Sequence, residues 1–373
     1  MRAIAIVLMI LCHGIIVTSS PVEGQSWTYF FGDHIVGDFA APIFTFLVGV
    51  SLALSLSKAG SNKARHSYKR GFAIILIGLI YATIDQGLSG ILGWDVLPFI
   101  GSSILILTVL RNQSNITLLG LALGVLLAAP FFREMIGYRE IWGNRFLDVP
   151  GLGEVWPGLL LNPEGSPEKV FSLSRFFKGW LSYGYFAIFP WLVFPIIGFV
   201  VGRVGFLKDK TWNWISAGAF LFAFAGILAA YLGRSSGAEG LDHYFLTPLS
   251  FYPNTTSMIF LQMSVCLGLM TFLHKWLDRP LQTKKGLPTQ AIVFFSGMSQ
   301  FALTLYVSHK IILVLFKKTA PFWLQLDPEK YQGNFLTPHQ GLAFSIILLL
   351  LIMGIAQLLK KSKGKLSIER WLS

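Results

Sequence analysis

Residues Val36–Leu56 read VGDFAAPIFTFLVGVSLALSL, and this stretch decides the fold. Asp38 is its only charge. A hydrocarbon core about 30 Å thick demands about twenty mostly apolar residues of a helix that crosses it. A surface helix in water would instead show a polar face. Nine further stretches carry the same signature: Ala3–Val17, Tyr68–Ile84, Trp94–Leu110, Ile116–Phe132, Tyr185–Val204, Trp212–Leu232, Thr255–Trp276, Ala291–Phe316 and Gln340–Leu359. The whole chain agrees, with 54% hydrophobic and 13% charged residues and a mean hydropathy of +0.62. A soluble domain carries roughly a quarter charged residues. Disorder is excluded because it needs low hydrophobicity and high net charge. A disulfide scaffold is excluded because the two cysteines, Cys12 and Cys266, sit inside apolar runs. The expected fold is all-α: a polytopic integral membrane protein of about ten transmembrane helices, forming one domain over 1–373.

A net charge of +12 invites a nucleic-acid reading, but the placement of the charges argues against it. The termini and even-numbered loops hold Arg2; Lys58, Lys63, Arg65, Lys69 and Arg70; Arg111; Arg203, Lys208 and Lys210; Lys275, Arg279, Lys284 and Lys285; and Lys360, Lys361, Lys363, Lys365 and Arg370. That is 19 of the 30 basic residues, set against only Asp209, Asp278 and Glu369. Basic residues gather in cytoplasmic loops, so both termini are expected in the cytoplasm, with no nucleic-acid partner. The odd-numbered loops are longer, and the longest runs from about 133 to 184. Ordered loops of that length are usually lids or binding elements; an inert outer cap is the alternative. A cleaved signal is a poor reading of the first span, because Arg2 is a thin basic region and His13 interrupts the apolar run. That span opens abruptly, as though residues preceded it. Asn112, Asn115 and Asn254 head glycosylation triplets at span edges and read as chance matches.

An ionisable side chain inside hydrocarbon is costly and marks a functional site by default. Arg2 and His13 are eleven residues apart, roughly 16 Å of rise and about 20° from three full turns. They share one face, with His13 in the outer half of the membrane. A single membrane histidine more often serves as a helix–helix hydrogen-bonding group. His34 and Asp38 are four apart, on one face if the helix has already begun, and lie at the depth of His13. A carboxylate beside an imidazole suits a general base, although Asp38 at a helix start also suits a cap. Lys58, Lys63, Arg65, Lys69 and Arg70, with His66 among them, lead into the third span on the cytoplasmic side. They serve topology alone or bind phosphate, which guanidinium groups pair with in bidentate fashion. No Walker loop, dinucleotide fingerprint, zinc motif or G-x-S-x-G is present.

These residues together resemble the transmembrane acyltransferase superfamily, and most closely its heparan-α-glucosaminide N-acetyltransferase branch. Arg2 and His13 reproduce an R-x10-H spacing. Asp38-x-x-x-Pro42-x-Phe44, then Phe46, Gly49 and Ser51, resemble the D-x-x-x-P-x-F…F-x-x-G-x-S run of that branch. Phe189-Pro190-Trp191, Phe251-Tyr252-Pro253 and Ala302-Leu303-Thr304-Leu305-Tyr306 resemble later segments. The likeness departs at the first outer loop, where the family's histidine stands further ahead of the aspartate than His34 does. His13 and His34 therefore compete as the base.

The resemblance implies a multi-pass enzyme of the plasma (inner) membrane. It implies that acyl-CoA, with acetyl-CoA favoured, is the co-substrate, held by Arg2, Arg65, Lys69 and Arg70, with no metal. His13, His34 and Asp38 would be catalytic, moving the acyl group to an extracytoplasmic sugar amine or hydroxyl. The partners are then the lipid bilayer and a sugar or glycan acceptor, with a homodimer left open. Trp142, Trp156 and Trp180 are either sugar-stacking platforms or interfacial anchors. An acyl-cysteine relay through Cys12 is disfavoured, because neighbours on a helix point about 100° apart. The alternative function is a secondary transporter or glycolipid translocator, but the internal repeat such proteins carry is not found here.

Overall fold

A computed structural model describes residues 1–19, 26–57, 62–86, 88–136, 173–205, 209–236, 249, 251, 254–278, 289–325 and 335–372. The longer helices in chain order are α1 (Arg2–Thr18), α2 (Trp27–Ser57), α3 (Asn62–Gln86), α4 (Val96–Val109) and α5 (Asn115–Ile136). A short α6 (Leu173–Lys178) is followed by α7 (Ile188–Val204), α8 (Asp209–Ser236) and α9 (Thr256–Leu273). The last are α10 (Thr289–Gln300), α11 (Ala302–Leu324), α12 (Pro338–Lys361) and a single turn, α13 (Ile368–Trp371). Among the described residues there is no strand, only an isolated bridge between Ser19 and Leu336.

Every expected apolar stretch falls on a helix. Among the described residues, six helices are long and apolar enough to cross a bilayer: Trp27–Ser57, Lys63–Asp85, Asn115–Met135, Lys210–Gly233, Thr256–Leu277 and Pro338–Lys361. Arg2–Thr18, Val96–Asn112 and Ile188–Val204 are shorter apolar helices. Their outward faces are apolar: Phe72, Leu76, Ile80 and Ile84 form an exposed stripe on α3, and Phe220, Phe224, Ile227 and Tyr231 do so on α8. The buried set meanwhile includes Thr45, Thr108, Arg133, Gln262 and His309. Apolar outside and hydrogen-bonded polar inside is the arrangement that hydrocarbon selects. The chain is an integral membrane protein.

Two stretches differ from expectation. The second span begins at Trp27 rather than Val36, and Phe31–Gly37 is a π-helical segment inside it. Asp38 therefore continues a helix with φ −61° and does not cap one. The ninth stretch is broken at Phe301 (φ −106°, ψ 29°) into α10 and α11. The reason lies at the C-terminal end of the chain. Glu369 accepts hydrogen bonds from the backbone N–H groups of Leu303 (2.7 Å) and Thr304 (3.1 Å) and from Thr304 Oγ1 (2.5 Å). The Ile368 N–H donates to Thr304 Oγ1 at 2.8 Å. A helix start normally leaves such N–H groups unsatisfied, and here a carboxylate takes them.

The chain divides into two compact units. One comprises residues 1–44 and 272–373, together with 149–154, which lie outside the described residues; the other comprises 45–148 and 155–271. In the first, α1 packs along α12 and against α10, α11 and the π-helical segment. Gly14 is needed there, since a Cβ would run into Ser345, whose hydroxyl donates to the Leu11 carbonyl at 3.2 Å. α12 starts with a capping box in which Thr337 and Gln340 bond each other's backbone, with Pro338 in the first turn. In the second unit, α3 pairs with α4. Gly49 lets the α2 backbone meet the Pro195 carbonyl of α7, a contact that any side chain would block. Arg203 closes the end of α4 by donating to the carbonyls of Arg111 and Gln113 and to Asn115 Oδ1. Two motif residues, Gly49 and the buried Trp191, thus serve packing.

Glu369→Ala removes a charged cap from α11. It is expected to lower the stability of detergent-solubilised protein by about 1–2 kcal/mol, read as a fall in melting temperature. Glu369→Gln should recover part of the loss.

Candidate active site

α1 places Arg2 and His13 on one continuous helix. His13 meets His309 of α11, with Nδ1 and Nε2 3.0 Å apart. The ring planes differ by 4° and the centroids are 5.3 Å apart. That separation is close to the largest a 3.0 Å nitrogen contact allows, so the rings lie edge to edge in one plane. His309 is fully buried and His13 is partly buried. Tyr306, one turn before His309, packs edge-on against it at 5.2 Å, and His309 Nδ1 lies 3.4 Å from the Leu305 carbonyl.

The π-helical segment rests on α1 just beside this pair. Gly32 lies against Ile15, and Gly37 lies against the Cys12 sulfur and Ile16. Asp38, next in sequence, is buried at 8% exposure. His34 has both ring nitrogens near carboxylates, with Nδ1 3.7 Å from Asp38 and Nε2 3.8 Å from Asp33. Its side chain is 55% exposed, against 11% for that of Asp38. Phe30 packs on His34 with centroids 5.0 Å apart, and Trp27 stacks on Phe30 at 5.4 Å. Thr28, on the same helical stretch, holds His339 Nδ1 at 2.9 Å. π-helical turns recur at functional sites, and this one carries both Asp33 and His34.

The two histidines that sequence left in competition therefore have different surroundings. His13 is half-buried against another imidazole. His34 is open and flanked by two carboxylates.

The basic group lies in the other unit. Arg65 and Lys69 line a cleft of about 520 Å³ together with Ser55, Lys63 and His66. Arg70 is exposed on the same helix but does not line it. Arg2 belongs to the unit that holds His13. Lys58 lies outside the described residues, as do Trp142, Trp156, Tyr252 and Pro253. Trp180 is used in packing: its Nε1 donates to Ser102 Oγ at 3.1 Å, and its ring sits 6.2 Å from that of Trp94. Asn254 is buried and donates to Gln262, which does not suit a glycosylation acceptor. Among the described residues no group of three His, Cys, Asp or Glu side chains is arranged to hold a metal ion.

Sequence reading missed His309, Asp33 and the cleft residue Ser55; Lys63 and His66 lie within the basic run already read as a phosphate candidate. The segment Ala302–Tyr306 stops three residues short of His309, one helical turn away, which was the available signal.

Apolar helices enclosing paired histidines and a buried aspartate define a helical membrane protein with a polar centre of the kind enzymes use. Residues 1–238 match the family of the heparan-alpha-glucosaminide N-acetyltransferase catalytic domain. The chain belongs to that family, and it is a transferase of the acyltransferase class. No curated protein and no solved structure matches it.

Proposed function

We propose that the protein transfers an acetyl group from cytoplasmic acetyl-CoA to an amine or hydroxyl of a sugar on the opposite side of the plasma membrane. The carrying observation is the buried His13–His309 pair at the outer part of α1, in a chain of this family. The topology that goes with this reading has ten crossings, both termini in the cytoplasm, and α10–α11 as one interrupted crossing. It is supported by the sorting of basic residues and by the helices at every apolar stretch.

His13 is the general base of this reading, and His34 belongs to the acceptor. Both nitrogens of His34 are flanked by carboxylates, whereas His13 has Nδ1 committed to His309 and, among the described residues, no hydrogen bond at Nε2. The acceptor's lone pair attacks the thioester carbonyl carbon while its proton passes to His13. The carbonyl electron pair moves to oxygen and returns as the carbon–sulfur bond breaks. The departing thiolate takes the proton back from the imidazolium, so the products are the acetylated sugar and free coenzyme A. General-base help of this kind is worth about 10²–10⁴-fold; holding the two substrates in line supplies more. Asp33 and Asp38 attract a sugar ammonium, and Trp27 and Phe30 offer apolar faces on which a sugar ring can stack.

Acetyl-CoA phosphates suit the cleft of Lys63, Arg65, His66 and Lys69. Charge sorting puts these residues and Arg2 on the cytoplasmic side. Along α1, His13 stands roughly 16 Å above Arg2. An extended pantetheine arm reaches about 15–20 Å by covalent dimensions, so the thioester reaches the outer half while the nucleotide stays inside.

His13→Ala is expected to lower kcat by at least about 10²-fold with insertion intact; His34→Ala should act mainly on the KM of the acceptor. Wild-type turnover in His13→Ala would overturn its assignment as base. Arg65→Ala with Lys69→Ala is expected to raise the KM for acetyl-CoA about tenfold at little cost in kcat, because the phosphates are remote from the reacting carbon. An unchanged KM would leave these charges to topology. In sealed proteoliposomes of known orientation, transfer should require acetyl-CoA on the cytoplasmic face and acceptor on the other. Transfer only with both substrates in one compartment would refute the sidedness.

A further inference from the structure

We infer that His309 is a positioning residue that fixes the tautomer of His13, so that the open Nε2 of His13 carries the lone pair. This rests on the reading of His13 as the base.

Hydrogen-bond polarity runs along a short chain of groups from Leu305 to His13. The Leu305 carbonyl can only accept, so the His309 nitrogen facing it, Nδ1 at 3.4 Å, carries a hydrogen. A neutral imidazole has one N–H, so His309 Nε2 is then an acceptor. It faces His13 Nδ1 at 3.0 Å, which must therefore be the donor. One N–H is again all that a neutral ring has, and His13 Nε2 is left bare. Among the described residues Nε2 has no hydrogen-bond partner. A helix carbonyl on α11 thus dictates, through two rings, which nitrogen on α1 can take a proton.

The geometry suits this role. The coplanar rings align the Nδ1–H with the accepting lone pair. His309 has no exposed surface, and Tyr306 buttresses its ring edge-on. An isolated histidine favours the opposite tautomer, with the hydrogen on Nε2, and that form cannot act as base through the open nitrogen. Fixing a histidine tautomer through its second nitrogen is a general device. Here the fixing group is a second imidazole, which lies outside the residues 1–238 that match the family.

The test uses full-length protein in nanodiscs with ¹⁵N-labelled histidine; the chain has seven, and the His13 signals are assigned by their loss in His13→Gln. Wild-type protein is expected to show a bare Nε2 and a protonated Nδ1 at His13. His309→Ala should move His13 toward the Nε2–H form and lower kcat by on the order of 10²-fold, with the KM for acetyl-CoA within about twofold. His309→Gln, whose amide oxygen can accept from His13 Nδ1–H, should keep Nε2 bare and recover about tenfold of the lost kcat. A protonated Nε2 in wild-type protein overturns the inference, as does an unchanged tautomer or kcat in His309→Ala. If His309→Ala does not survive purification, a protonated Nε2 in His309→Gln overturns it equally. Failure of the underlying reading looks different: His13→Gln would keep wild-type turnover, while the wild-type spectrum would still report the tautomer.

Discussion

Hydrocarbon offers no hydrogen bonds, and the rest of this structure depends on that constraint. A polar side chain in the membrane must find its partner within the protein or carry a cost of several kcal/mol. Several buried serines and threonines meet it locally: Thr18, Thr108, Thr271 and Ser345 each bond a carbonyl four residues back on their own helix. Arg133 and Arg203 meet it with backbone carbonyls elsewhere in the chain. The imidazoles cannot use the local solution alone, since a ring has two nitrogens on opposite edges. His13 and His309 satisfy one nitrogen of each by facing one another, and what remains open is available to chemistry.

Close backbone approach makes that pairing geometrically exact enough to matter. Without a hydrophobic drive between helices in lipid, association rests on van der Waals contact and interhelical hydrogen bonds. α1 presents Gly14 to Ser345 and takes a hydrogen bond from it at the Leu11 carbonyl. On another face, the π-helical stretch of α2 lies on Cys12, Ile15 and Ile16. Cys12 is thereby spent on packing against Gly37. α1 is fixed on both sides of His13, so a change at Gly14 or Gly37 reaches the imidazole through the helix that carries it.

Local patterns were legible in the sequence and long-range partners were not. The helices, their apolar faces and the His34–Asp38 spacing follow from hydropathy and from four-residue periodicity. The segment before Val36 looked like a loop because Gly32, Asp33, His34 and Gly37 dilute its apolar content; it is helical because it packs on α1. The interruption at Phe301 was hidden because the carboxylate that caps α11 belongs to Glu369, 65 residues beyond Thr304. His309 was overlooked for the same reason on a larger scale. Its partner is 296 residues away, and no local spacing relates them. The cleft was half readable: the cluster of charges was plain, but only the turn of α3 shows that Lys63 and His66 line it while Arg70 does not.

The sequence separation within the histidine pair also sets an order of assembly in the living cell. α1 is made before α11 and enters the bilayer with its imidazole facing lipid, water or a temporary neighbour. The ring that completes it is synthesised 296 residues later, after α2 to α10. The cap that steadies the start of α11 comes later still, beyond α12. Biogenesis must therefore hold an incomplete polar centre in the membrane through most of translation. A ribosome stalled before α11 leaves behind an inserted chain whose His13 lacks its partner, an unpaired polar group inside the membrane.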